Sequence, residues 1–257
     1  MIIHGTRRTE QYLGWVADFC PICREARAFR LFRIGIVSHI YFISFGSGTL
    51  VGFEIECSDC RTRLGIDEFR HAKTEKDRPA DLVDLAARTL PGMRELLGDR
   101  LRLELQIRSA PRALDPSVRQ VLLNEPFKIL NPQLEARAEQ THLDKPAVLG
   151  CVGTLLLVVL GVAAIPSLPP EWDDAAGCSL MVLIVLGIIY TLAQLVMINR
   201  RYHRRIILPK LARALRPLQP DREELEAIIS RCRERKMQIG KKTSIGDLWQ
   251  CLHPLRS

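Results

Sequence analysis

Residues 17–24 read ADFCPICR, and residues 55–62 read IECSDCRT. Each stretch holds a Cys-x2-Cys pair, Cys20/Cys23 and Cys57/Cys60, and 33 residues separate the two pairs. Two residues between thiols let one tight turn present both sulfurs to a single metal ion. Two such turns close a tetrahedral shell of four sulfurs. The intervening segment supplies strands to bring the turns together. AFRLFR, HIYFISF and TLVGFEIE are short and rich in β-branched or aromatic residues. The last two flank Gly46-Ser47-Gly48, a hairpin signal. The expected cofactor is Zn2+, one structural ion per chain on Cys20, Cys23, Cys57 and Cys60. Four protein thiolates leave no open coordination position for chemistry.

Around these cysteines, about residues 17–65, the chain resembles the zinc-ribbon family, in which turns on β-hairpins clasp one zinc. The matching residues are Cys20, Pro21, Cys23, Cys57 and Cys60. Many ribbons place glycine directly after each turn, whereas Arg24 and Arg61 stand there in this chain. As a whole the chain also looks like bacterial membrane proteins with an amino-terminal zinc ribbon, a family that implies no known reaction. Two other readings of the cysteines stay open. A rubredoxin-like iron site shares the tetrahedral sulfur shell and would make this a redox or electron-transfer protein. A thioredoxin-type pair normally opens a helix after a strand, which the surroundings of these pairs do not suggest.

The net charge of +8 is unevenly spread. Residues 199–257 carry 15 basic against 6 acidic side chains, while residues 1–70 are nearly balanced. A ribbon this close to neutral, holding a tetrathiolate centre of about two negative charges, gains little from counterion release. Arg27, Arg30 and Arg33 would also fall on both faces of a strand. A protein partner is therefore expected, and a nucleic-acid-binding ribbon tethered to a membrane is the weaker alternative.

No charged residue lies between Pro146 and Pro170, or between Ala175 and Asn199. Each run is long enough, as a helix, to cross roughly 30 Å of hydrocarbon. The expectation is a two-helix transmembrane hairpin over 146–199, with spans at about 146–168 and 177–199. Arg200, Arg201, Arg204, Arg205, Lys210, Arg213 and Arg216 follow the second run, and the acidic loop around Trp172 has no basic residue. The positive-inside rule then places both termini in the cytoplasm of a multi-pass inner-membrane protein, with the lipid bilayer as a partner. Gly150, Gly153, Gly161 and Gly187 permit close helix approach, consistent with a tight hairpin, and a homo-oligomer stays open. The amino terminus, MIIHGTRRTEQYLGW, lacks the apolar core of a secretory signal, which fits reduced cytoplasmic thiols.

Elsewhere helix signals dominate. PADLVDLAARTL has helical apolar spacing, Asp115-Pro116 and Asn131-Pro132 read as helix starts, and Asp221 with Glu224 forms a capping box. The expected architecture is α+β: a β-hairpin zinc ribbon over 1–66, a helical cytoplasmic region over 67–145, the transmembrane hairpin, and a basic helical tail over 200–257. Cys151, Cys178, Cys232 and Cys251 have no paired partner, the six histidines are dispersed, and no phosphate-binding loop, dinucleotide fingerprint or nucleophile elbow is present. No enzymatic activity is expected. The expected role is a protein-interaction or scaffold module.

Overall fold

A computed structural model describes residues 4–40, 43–44, 48–67, 70–78, 80–139, 145–164 and 173–253, and its amino-terminal part forms a sheet. The strands are β1 (His4–Cys20), β2 (Glu25–Ile40), β3 (Ile43–Ser44), β4 (Thr49–Cys57) and β5 (Arg63–Ile66). They form one antiparallel sheet in the order β1-β2-β4-β5, with β3 paired to β2. The register sets Val16 opposite Phe29, Phe29 opposite Cys57, and Leu31 opposite Ile55. Successive side chains alternate between faces, so these apolar residues share one face. All of them are buried. The other face carries the cross-strand pairs Arg30/Glu56 and Phe32/Glu54.

The expected strands at 28–33 and 49–56 are present, but β4 pairs with residues 29–36 of β2 rather than with 39–45, where His39 pairs with Ser44 and Ile40 with Ile43; Gly46 and Ser47 lie outside the described residues. Strand β1 was not foreseen. Its outer half is the polar run Thr6–Gln11, which carries no apolar alternation. A bulge at Gly14 bends it, and here glycine is required. Its φ is 146°, and a Cβ would sit 2.5 Å from the Glu75 carbonyl oxygen, where the 70–78 segment bridges to Trp15.

The helices are α1 (Leu82–Thr89), α2 (Met93–Leu96), α3 (Gly98–Ser109), α4 (Pro116–Glu139), α5 (Lys145–Ala164), α6 (Asp173–Tyr202), α7 (Leu208–Leu215), α8 (Arg222–Glu234), α9 (Gln238–Lys242) and α10 (Ile245–Leu252). Asp81 caps α1, and the Asp221/Glu224 capping box opens α8, whose Leu225, Ile228, Ile229 and Cys232 are buried as their spacing predicts. Asn131-Pro132 does not start a helix. Both residues lie inside α4, and the Asn131 side chain instead accepts a hydrogen bond from the Ile239 N–H at 3.1 Å.

Residues Met1–Gln133 and Pro209–Ser257 form one compact unit, and Leu134–Leu208 form a second. In the second unit α5 and α6 approach closely. A Cβ at Gly187 would meet Thr154 at 2.8 Å, and one at Gly150 would meet the Tyr190 ring at 3.3 Å. Leu149, Leu155, Leu160, Met181, Leu186 and Ile189 remain exposed.

The transmembrane hairpin is corrected at this point. Among the described residues no helix is long and apolar enough to cross a membrane. The multi-pass inner-membrane placement and the cytoplasmic position of both termini rested on those spans, and they fall with them. Trp172, expected in the loop between the spans, lies outside the described residues. The α+β class stands, as an antiparallel sheet with helices.

Candidate metal centre

The two turns that carry the cysteines have the same backbone. Strand β1 ends at Cys20 and β2 begins at Glu25; strand β4 ends at Cys57 and β5 begins at Arg63. In the first turn the Arg24 N–H returns to the Cys20 carbonyl at 2.6 Å, and in the second the Arg61 N–H returns to the Cys57 carbonyl at 3.1 Å. Arg24 and Arg61 have φ values of 59° and 56°, the left-handed region that glycine enters without penalty.

Register brings the turns together. Phe29 faces Cys57 across β2 and β4, and the Ser58 N–H donates to the Ala28 carbonyl at 3.0 Å. Cys20, Cys23, Cys57 and Cys60 converge and are buried, with all four sulfurs within 4.8 Å of one another. Cys20 Sγ lies 3.5 Å from Cys60 Sγ, and Cys23 Sγ lies 3.9 Å from Cys57 Sγ. Sulfurs about 2.3 Å from a tetrahedral zinc are about 3.8 Å apart. The cluster fits a metal ion.

Its protons fit one too. Hydrogen bonds to Cys23, Cys57 and Cys60 push the Cys20 thiol up. Hydrogen bonds from Cys20 and Cys23 bring Cys57 down to about 7, and Cys60 is lowered by the same neighbours. A divalent cation bound among these crowded sulfurs would displace their protons. The Cys23 N–H also donates to Cys20 Sγ at 3.4 Å, and Cys60 Sγ lies 3.2 Å from the Thr62 hydroxyl.

Charged groups surround each turn. Arg24 is buried and forms a two-pronged pair with Glu104 of α3, at 2.8 and 3.0 Å, while its third nitrogen donates to the Ala214 carbonyl of α7. Burial lowers the Arg24 pKa. Asp18, two residues before Cys20, accepts two hydrogen bonds from Arg70 at 2.6 and 2.8 Å, and His71 Nε2 lies 3.5 Å away. Burial pushes the Asp18 carboxyl up, but His71, Arg70 and the Phe19 N–H hold it below the usual range. At the second turn, Glu56 precedes Cys57 and pairs with Arg30, Arg61 and Arg63, which outweigh its burial and lower its pKa. Asp59, inside that turn, pairs with Arg213 of α7 at 2.6 Å and with Arg27 at 3.6 Å.

The four cysteines were all legible in the sequence. Arg24, Glu104, Asp59, Lys210 and Arg213 were not, because their partners lie far along the chain. The one available signal was an arginine standing twice where a glycine was expected. No family model, no curated protein and no solved structure matches the chain.

Proposed function

We propose that this is a non-enzymatic zinc-ribbon protein in which Cys20, Cys23, Cys57 and Cys60 hold one structural Zn2+, and that the ribbon serves as a binding module for a protein partner. The observation that carries the reading is the buried cluster of four sulfurs, spaced near the edge length of a tetrahedral zinc–thiolate shell. When bound, the ion would tie the β1–β2 and β4–β5 turns into one rigid end of the sheet. A shell made wholly of protein thiolates offers a substrate no vacant position.

The sheet's charge pattern supports a protein partner over nucleic acid. Arg8 pairs with Glu54, Arg63 with Glu10, Arg30 with Glu56, and Arg27 with Glu25. Arginines already matched to carboxylates release few counterions from a phosphate backbone. Metal analysis of the purified full chain tests the reading. One zinc per chain is expected, lost in a Cys57→Ser variant. Iron with thiolate-to-metal colour would make the site rubredoxin-like, and absence of metal would sink both assignments.

A further inference from the structure

Helix α7 lies against the second turn of the metal centre and brings two cations to it. Lys210 Nζ donates to the Arg61 carbonyl at 3.2 Å, one residue past the ligand Cys60, and to the Gln133 side chain at 3.4 Å. Both acceptors are neutral, although the ammonium is half-buried and desolvation lowers its pKa. A buried charge needs an opposite charge to offset lost hydration. Glu56, the nearby carboxylate, is already shared among Arg30, Arg61 and Arg63. The negative charge that reaches Lys210 comes from Cys60, the shared Glu56, Cys20 and Cys57, which act against its burial. One helical turn along, Arg213 pairs with Asp59, whose carboxylate lies 3.8 Å from Cys23 Sγ.

Four thiolates around a divalent ion keep about two negative charges. We propose that Lys210 and Arg213 are positioning residues of the metal centre: Lys210 brings one positive charge toward the loaded tetrathiolate, Arg213 offsets the Asp59 carboxylate that stands beside Cys23 Sγ, and metal loading in turn clamps α7 onto the second turn. The inference rests on the metal reading above. Lys210 acts through the Arg61 carbonyl, next to Cys60, and Arg213 acts through Asp59, which sits between the ligands Cys57 and Cys60. Neither would be a ligand. Both would slow ion loss by placing positive charge beside the anionic shell and beside the Asp59 carboxylate next to it.

The test uses the zinc-loaded full chain and a chelator that reports release, together with hydrogen exchange of the α7 amides with and without metal. A Lys210→Met/Arg213→Gln variant should release zinc about 10- to 100-fold faster, the range for lost outer-shell partners. Its cobalt-substituted form should keep a tetrahedral thiolate spectrum, showing that the shell and the fold persist. Lys210→Arg, which keeps the charge, should stay near the wild-type rate, whereas Lys210→Met alone should not. In the wild type, α7 amides should lose protection when the metal is removed. If wild-type chain binds zinc but the double variant releases it at the same rate, this inference fails while the metal reading survives. If Lys210→Arg leaks as fast as Lys210→Met, side-chain packing rather than charge is the cause, and the inference fails again. A wild-type chain that binds no metal sinks both.

Discussion

The two cysteine turns are near-copies in backbone and opposites in surroundings. Each ends a strand, closes with an amide donating to the first cysteine's carbonyl, and places an arginine in the left-handed region directly after its second cysteine. Arg24 points inward and is held by Glu104 and the Ala214 carbonyl, so the first turn is bolted to α3 and α7. Arg61 points outward, its side chain 60% exposed, with one prong on Glu56. A left-handed conformation costs a non-glycine residue about 1–2 kcal/mol. At Arg24 that strain comes with a buried ion pair between distant segments. At Arg61 little offsets it. Identical local geometry therefore anchors the first turn through the Arg24 side chain, whereas the second meets α7 through the Arg61 carbonyl and Asp59.

The largest effect should ignore this difference. Cys23→Ser and Cys60→Ser each remove one thiolate from a shared shell, and the free energy of metal binding is also folding free energy in a ribbon of this size. Both variants should lose stoichiometric zinc and the ordered sheet end to a similar degree, by metal analysis and circular dichroism. A variant that keeps full metal content at either position would break the equivalence of the turns.

Next in size, Glu104→Ala should separate them. It strands the buried Arg24 guanidinium, and breaking one side of a buried pair costs about 3–5 kcal/mol. Arg100 loses the same carboxylate but keeps Glu125, at 2.6 Å. Arg61→Ala, which removes an exposed partner from Glu56, should cost about 1 kcal/mol or less. Denaturant midpoints of the zinc-loaded chains measure both, and equal losses would show that the first turn is not anchored through Arg24.

What could be read in advance follows the same division. The ligand set was legible because a Cys-x2-Cys turn is local, and so were the Asp221/Glu224 capping box and the buried stripe behind it. Strand β1 was hidden because its outer residues, Thr6 to Gln11, belong to an exposed edge with no apolar alternation. The Arg24–Glu104 pair joins residues 80 apart, and Lys210 reaches Arg61 across 149. No periodicity in one sequence records such pairings. Asn131-Pro132 misled because a cap signal is a preference of isolated helices, and here Asn131 is recruited by the amide of Ile239. The charge-free runs misled in a related way: composition alone was read as a crossing, and the described helices do not meet that requirement.

Acid should act on both turns through the carboxylates behind them. Asp18 and Glu56 each have a folded pKa below the ordinary carboxylate value. Their contribution is therefore complete above that value, near pH 4, and is lost as the pH falls through the folded pKa. Urea stability of the zinc-loaded chain should decline between about pH 5 and pH 3. Asp18→Asn and Glu56→Gln should each flatten that decline while lowering stability at neutral pH. Asp18, whose pair with Arg70 lies beside the anchored turn, is expected to matter as much as Glu56 with its three arginines. A slope unchanged by either substitution would assign the acid response to protonation of the thiolates alone.

The smallest effect is the most selective. Arg61→Gly removes the left-handed strain and gives up only an exposed arm on Glu56, which retains Arg30 and Arg63. The Arg61 carbonyl that receives Lys210 belongs to the backbone and survives the substitution. Glycine also gains unfolded-state entropy, which takes back part of the benefit. The balance should be a stabilisation of up to about 1 kcal/mol, seen as a higher denaturant midpoint with the zinc content unchanged. Arg24→Gly relieves the same strain but leaves Glu104 buried beside Arg100 without its two-pronged partner, so it should destabilise. Opposite signs for one substitution at two superficially equal positions are the expected outcome. The same sign at both would mean that the environment of Arg24 contributes no more than that of Arg61.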